Sequence, residues 1–212
     1  MSFGNEFKCV GAMKVARYLK NNLKNAYHNE PTESFVINYK DLKYILDVVY
    51  KNLDSGGTQQ SFKKAIKEKG IILPKELPET FYRTILQGCF MAEKWKKINA
   101  SVALPYIMYD AINDGRVRSN HLEISGIIRR RDDNFWKTHF PPNGINCRCG
   151  VRSLSERQAE ERSKDGQGLN KLITFDMNPD ENWAFNVGED LSDFMKVGVI
   201  ALAKVDAVYS DC

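Results

Sequence analysis

The stretch from Tyr109 to Cys149 constrains the fold more than any other part of the chain. It holds two of the three histidines, His121 and His139, and two of the five cysteines, Cys147 and Cys149. It is punctuated by Asp114-Gly115, Pro141-Pro142 and Asn143-Gly144. Turn formers at that density exclude long regular elements, because proline fixes φ and removes an N–H while Asn-Gly tolerates left-handed backbone. The segment therefore predicts a compact, irregular unit in which well-separated Cys and His side chains converge on one spot.

The chain before it reads as helices. Phe7, Val10, Leu19, Leu23 and Tyr27 fall on one stripe and predict a helix over 7–27. Asp41 is placed to cap a second helix over 41–53, with Leu42, Ile45, Leu46, Val49 and Leu53 on its apolar face and Asp54-Ser-Gly-Gly57 as its end. Thr58 caps a third over 58–69, which Gly70 stops. Pro74 and Pro78 interrupt the chain before a fourth helix over 80–98 that carries Phe81, Ile85, Cys89 and Ala92.

After about residue 103 the spacing changes. Pro105 to Ile112 is rich in strand formers and Asn113-Asp-Gly115 is a turn signal. Asp132 or Asp133 is placed to cap a single helical turn at 134–137, and Gly150-Val-Arg152 reads as a short strand. Ser155 with Gln158 forms a capping-box pattern for a helix that Asp165-Gly-Gln-Gly168 ends, and Leu172 to Phe175 reads as a further short strand. The fold class is α+β, with a helical N-terminal half packed on a small turn-rich mixed α/β module. The expected divisions are 1–100 helical, 101–175 module, and 176–212 a C-terminal tail segment packed on the module.

Composition limits the function classes. With 42% hydrophobic and 11% aromatic residues in 212, the chain can bury a core and is not a disordered chain. A net charge of +4 is too small an excess to imply nucleic-acid binding by itself. No apolar run has the length of a membrane span and no hydrophobic export core opens the chain, so a reducing cytoplasm is expected. Five cysteines without scaffold spacing then read as reduced: Cys9 and Cys89 as core residues, Cys212 as a tail residue.

His121, His139, Cys147 and Cys149 supply the four thiolate and imidazole donors that zinc favours. The Cys-x-Cys spacing is narrower than in most zinc knuckles, but alternate residues of an extended segment point the same way, which lets both thiols face one ion. A plainer arrangement has the two cysteines packed under a strand and His139 bonded to a loop carbonyl. Arg116, Arg118, Arg129, Arg130, Arg131 and Arg148 are the densest positive charge, suited to phosphate or to an acidic partner. Asp132 and Asp133 offset part of it, and Arg118 also fits an internal clamp on Asp110 or on the Asn178-Pro179 turn. A thiol–imidazole nucleophile with Asp110, or a histidine and arginine phosphodiesterase site, is drawable from the same residues. Neither has a flanking Gly-rich oxyanion loop.

Several of these features occur in a distinctive order. A helix bearing Arg83 and Gly88 precedes a strand ending in Asp110; then come Arg116-Val-Arg118-Ser-Asn-His121, Gly126, Asn134-Phe-Trp136 and His139-Phe-Pro-Pro-Asn-Gly-Ile-Asn-Cys-Arg-Cys149; Phe175-Asp-Met-Asn-Pro179 and Trp183 trail them. This order, over roughly 62–183, resembles the phage Mu F-like family of minor head (head morphogenesis) proteins. Ile145 stands where relatives tend to carry an aromatic, and Ser119-Asn120 where they often have proline. The resemblance implies a minor head protein of a Mu-like phage or prophage, non-enzymatic, acting in capsid and head assembly near the portal. Its partners would be portal, scaffold or capsid proteins, with non-specific DNA as a further contact and no membrane. It would be found in the host cytoplasm during assembly and then in the phage head. Relatives can carry enzymatic domains after this module, and the segment after Asn178-Pro179 is expected to be too short for one. The alternative is a metal- or histidine-dependent nuclease, or a prophage-encoded effector enzyme built on the same module.

Overall fold

Apolar residues spaced three or four apart produce three helices in the computed structural model, which describes residues 39–73, 77–164, 167–174, 177–180 and 183–189. They are α1 (Tyr39–Asp54), α2 (Gln59–Glu68) and α3 (Leu77–Ala100). The helix expected over 7–27, with Cys9 and Cys212, lies outside the described residues. Described residues fall into two compact units, one up to Phe90 and one from Met91 onward.

In the first unit Ile45 and Val49 of α1, Phe62 and Ile66 of α2, and Phe81, Tyr82 and Ile85 of α3 are buried. Phe62 and Tyr82 stack with ring centroids 5.2 Å apart. Thr58 caps α2 as expected, and it does so reciprocally: its hydroxyl accepts from the Ser61 N–H while Ser61 Oγ accepts from the Thr58 N–H. Buried Asn52 fixes this turn, donating to the Thr58 carbonyl at 2.7 Å and accepting from Ser61 Oγ at 2.7 Å. Gly70, at φ +75°, takes the left-handed position that ends α2. Two helix starts differ from expectation. α1 begins at Tyr39, so Asp41 lies in its first turn, where its charge faces the helix dipole, and does not cap it. α3 begins at Leu77, because proline is tolerated in a first turn whose N–H groups have no intrahelical acceptor.

The second unit is built on a three-stranded antiparallel sheet of β1 (Tyr106–Asp110), β2 (Ile128–Arg130) and β3 (Gly150–Leu154), in the order β2-β1-β3. Ile107 pairs with Arg129 and Ser153, and Met108 with Ile128 and Arg152. The two-residue period puts Ile107 and Tyr109, both fully buried, on one face. Tyr106 and Met108 on the other pack, with Leu169, over Ile128, Leu154 and Ala159. Three short helices fill the connections: α4 (Ser119–Glu123), α5 (Phe135–His139) and α6 (Glu156–Glu161). Asp133 Oδ1 accepts the Phe135 N–H at the start of α5, and Ser155 and Gln158 form the expected capping box of α6. Trp136 and Phe140 make an edge-to-face aromatic core that Trp95 joins from α3. No strand forms over Leu172 to Thr174; Leu172 is 80% exposed, so there is no apolar burial to hold one there.

Candidate functional site

α4 follows Arg118 and turns His121 inward, to 1% exposure. The Pro141-Pro142-Asn143-Gly144 turn then brings the extended stretch Cys147-Arg148-Cys149 alongside it as the lead-in to β3. Alternation along that stretch sends both thiols inward, to 4% and 2% exposure. Arg148 between them turns outward and makes a two-pronged bond to Asp114 at 2.7 and 2.8 Å. His121 Nδ1 lies 3.6 Å from Cys147 Sγ and 3.9 Å from Cys149 Sγ, and all three ligand atoms lie within 4.8 Å of one another. No disulfide joins the two cysteines. On the other side of the ring, His121 Nε2 is 3.2 Å from Asp180 Oδ1 and 3.2 Å from the Asn143 carbonyl. Tyr109 puts its buried hydroxyl on the same side as the thiols, facing Cys149.

Asp180 is the residue that organises this site and that the sequence reading did not single out. Its carboxylate also faces Arg118 Nε at 3.3 Å and Asn120 Nδ2 at 3.2 Å, and its N–H donates to the Asn143 carbonyl at 2.9 Å. Asn120 further donates to the Asn178 carbonyl. Arg118 thus ties the Ile145 carbonyl to Asp180, the residue after the Asn178-Pro179 turn, while Asp110 pairs with Arg152. Gly144 is required for close approach: a Cβ there would overlap the Asp180 carboxylate, whereas the left-handed residue of this turn is Asn146, at φ 56°.

Charge follows from these distances. Burial alone would lower the His121 pKa, but hydrogen bonds to Asp180 and Cys149 outweigh it and raise the imidazole to about 9. The Cys147 thiol, bonded to Cys149, holds Cys149 as the thiolate side of the pair, down to about 4, with His121 and Tyr109 assisting against burial. Cys147 is correspondingly raised. Burial would raise Asp180 too, and His121, Arg118 and Asn120 together keep it low. A histidine oriented by a carboxylate and facing two sulfurs can do two things: bind a soft metal ion, or activate a thiolate as nucleophile. Nucleophiles need access, and these sulfurs are buried.

The phage Mu protein F-like family model matches residues 43–152, just over half of the chain. The chain belongs to that family. It is 38% identical over 96 residues to protein F of Escherichia phage Mu, a protein whose name links it provisionally to capsid assembly. It is 46% identical over 68 residues to the Mu-like prophage FluMu F protein of Haemophilus influenzae. These stretches cover 45% and 30% of this chain but only 22% and 16% of the two relatives. No solved structure matches it.

Within this Mu F-like unit the other expected site residues have different positions. His139 does not join the cluster of His121, Cys147 and Cys149. It is buried on α5, stacked on Phe135 at 4.4 Å, with Nδ1 2.7 Å from the Thr138 hydroxyl; burial lowers its pKa. The reason is helical geometry: one turn of α5 brings residue 139 over residue 135, away from the loop that carries the thiols. The six arginines do not form one surface. Arg129 donates to the carbonyls of Ile128, Gly168, Leu169 and Lys171, and Arg131 to those of Ile98 and Ser101. Arg116 and Arg148 converge on Asp114, Arg118 on Asp180 and the Ile145 carbonyl, and Arg130 on Asp132 and the Tyr106 ring.

Proposed function

We propose that this chain is a non-catalytic component of a phage or prophage head, acting in capsid assembly close to the portal. Membership of the Mu F-like family carries the reading, together with a relative named for capsid assembly. In this reading the helical unit docks onto portal, scaffold or capsid proteins in the host cytoplasm, and the Cys/His unit is the stable body that enters the head. α3 exposes Leu86 at 44%, and no helix among the described residues is long and apolar enough to cross a membrane. The arginines bind carbonyls and carboxylates of their own chain, which favours a protein partner over packaged DNA. Any DNA contact would fall to Arg116 and Arg130, would be independent of sequence and would collapse with salt.

Co-expression with portal and head proteins tests this. The chain should co-purify with head precursors, and Leu86→Asp should weaken that association without unfolding the protein. The effector or nuclease alternative draws on the His121, Cys149 and Asp180 arrangement. It would be favoured by nucleic-acid hydrolysis or transfer chemistry in the pure protein that disappears in folded His121→Asn.

A further inference from the structure

The same three side chains support a conclusion that does not depend on what the chain assembles with. We propose that His121 Nδ1, Cys147 Sγ and Cys149 Sγ hold a structural zinc ion, with Asp180 fixing the histidine through its other ring nitrogen. The dimensions fit before any ion is considered. Zinc bonds of roughly 2.3 Å to sulfur and 2.0 Å to nitrogen put tetrahedral neighbours about 3.5 Å apart for N···S and about 3.8 Å apart for S···S. The observed N···S separations are 3.6 and 3.9 Å, and the sulfurs are within 4.8 Å of each other. Closing onto an ion thus takes a few tenths of an ångström for the N···S pairs and at most about 1 Å between the sulfurs.

Three independent features point to an ion and away from a simple buried thiol pair. His121 presents Nδ1 to the sulfurs while Nε2 faces a carboxylate and a carbonyl, the arrangement that fixes the tautomer of a metal-bound imidazole. The buried Tyr109 hydroxyl is aimed at Cys149, and a donor there favours the thiolate form that a metal ligand must take. Soft sulfur donors select zinc over magnesium or calcium, which take oxygen. His139 is not a ligand in this proposal. Because the three ligands are almost completely buried, the ion's role is to staple α4 to the strand lead-in, and it is not placed to meet a substrate.

The test is metal analysis of the full chain purified in reducing buffer without chelator, followed by cobalt substitution. The expected result is about one zinc per chain, with cobalt giving thiolate charge-transfer bands in the near ultraviolet and the intense visible bands of a tetrahedral site. Cys149→Ser and Cys147→Ser should each lose the metal, while His139→Asn should retain it. Should the serine variants fail to fold, the wild-type cobalt spectrum decides alone, since thiolate charge transfer requires both ion and sulfur ligation. Less than about a fifth of an equivalent of metal, a cobalt complex without charge-transfer bands, or loss of zinc in folded His139→Asn would overturn the proposal.

Discussion

Replacing Asp180 with alanine should destabilise the second unit by about 2–4 kcal/mol, a magnitude that follows from the three groups it faces. The bond to His121 Nε2, on a ring 1% exposed, is charge-assisted and worth about 1.5–3 kcal/mol. The Arg118 pair is 41% and 26% exposed and screened by water, so it adds about 0.2–1 kcal/mol. The Asn120 bond adds about 0.5–1 kcal/mol. Each of the three donors keeps another acceptor, His121 at the Asn143 carbonyl, Asn120 at the Asn178 carbonyl and Arg118 at the Ile145 carbonyl, which holds the total to the lower part of the sum. All three tryptophans, Trp95, Trp136 and Trp183, lie in the second unit, so tryptophan fluorescence reports that unit alone. Thermal denaturation followed this way, in EDTA so that no ion contributes, should show a midpoint lowered by roughly 8–30 °C at the usual 4–8 °C per kcal/mol. Asp132→Ala is the control: it removes a carboxylate, 69% exposed, whose bridge is to Arg130, and should cost less than about 0.5 kcal/mol. If Asp180→Ala falls within 0.5 kcal/mol of that control, the view of Asp180 as the organiser of the site is wrong.

Three further outcomes follow from the same contacts. Arg129→Lys should lower the urea midpoint by an amount worth about 2 kcal/mol with an unchanged slope, because an ammonium cannot reach four carbonyls as a guanidinium fork does; hydrogen exchange should rise at 168–171. Burial lowers the His139 pKa, so the unfolded chain binds the extra proton first; the stability it confers is complete above its unfolded pKa near 6.5 and is lost as pH falls through the folded value. His139→Asn should therefore have a shallower acid limb than wild type below about pH 6.5, and coincident limbs would show that the ring is not held neutral. Trp183→Ala, at a site 2% exposed, should cost about 3–5 kcal/mol in equilibrium unfolding, and a cost under 1 kcal/mol would place that ring outside the core.

What could be read from sequence divides along the range of the interactions. Helices α1, α2 and α3, the Thr58 cap, the Ser155–Gln158 box and strand β1 depend on residues a few positions apart, and each is visible as spacing or as a local hydrogen-bonding pair. β2 was not visible because Ile128-Arg129-Arg130 reads as part of a charge run; only its pairing with β1 makes it a strand. α4 is too short to show a period. In the site, His121, Cys147 and Cys149 could be named from chemistry and from the turn between them. His139 could not be separated from them by residue type, since what removes it is its place one helical turn after Phe135. Asp180 lies 59 positions from His121, and the one signal near it was the Asn178-Pro179 turn immediately before.

The arginines show why charge clustering in a sequence is a poor guide to what a surface does. Arg129, Arg130 and Arg131 are consecutive, yet Arg129 reaches carbonyls at 168–171, Arg130 stays with Asp132 and Tyr106, and Arg131 turns to the end of α3. Strand alternation sends Arg129 and Arg130 to opposite faces of the sheet, so a basic run in sequence becomes separate internal ties in space. These ties also explain how the fold continues past the span the family model matches, which ends at Arg152 inside β3. Arg129 grips backbone carbonyls, which any sequence at 168–171 supplies, so that attachment asks little of residue identity. Asp180 is the opposite case: only a carboxylate there meets Arg118, Asn120 and His121 at once. Beyond it Trp183, Phe185 and Val187 are buried. The buried core of this Mu F-like unit therefore extends at least to Val187, and the residue that orients His121 of its Cys/His site comes from the part of the chain beyond the matched span.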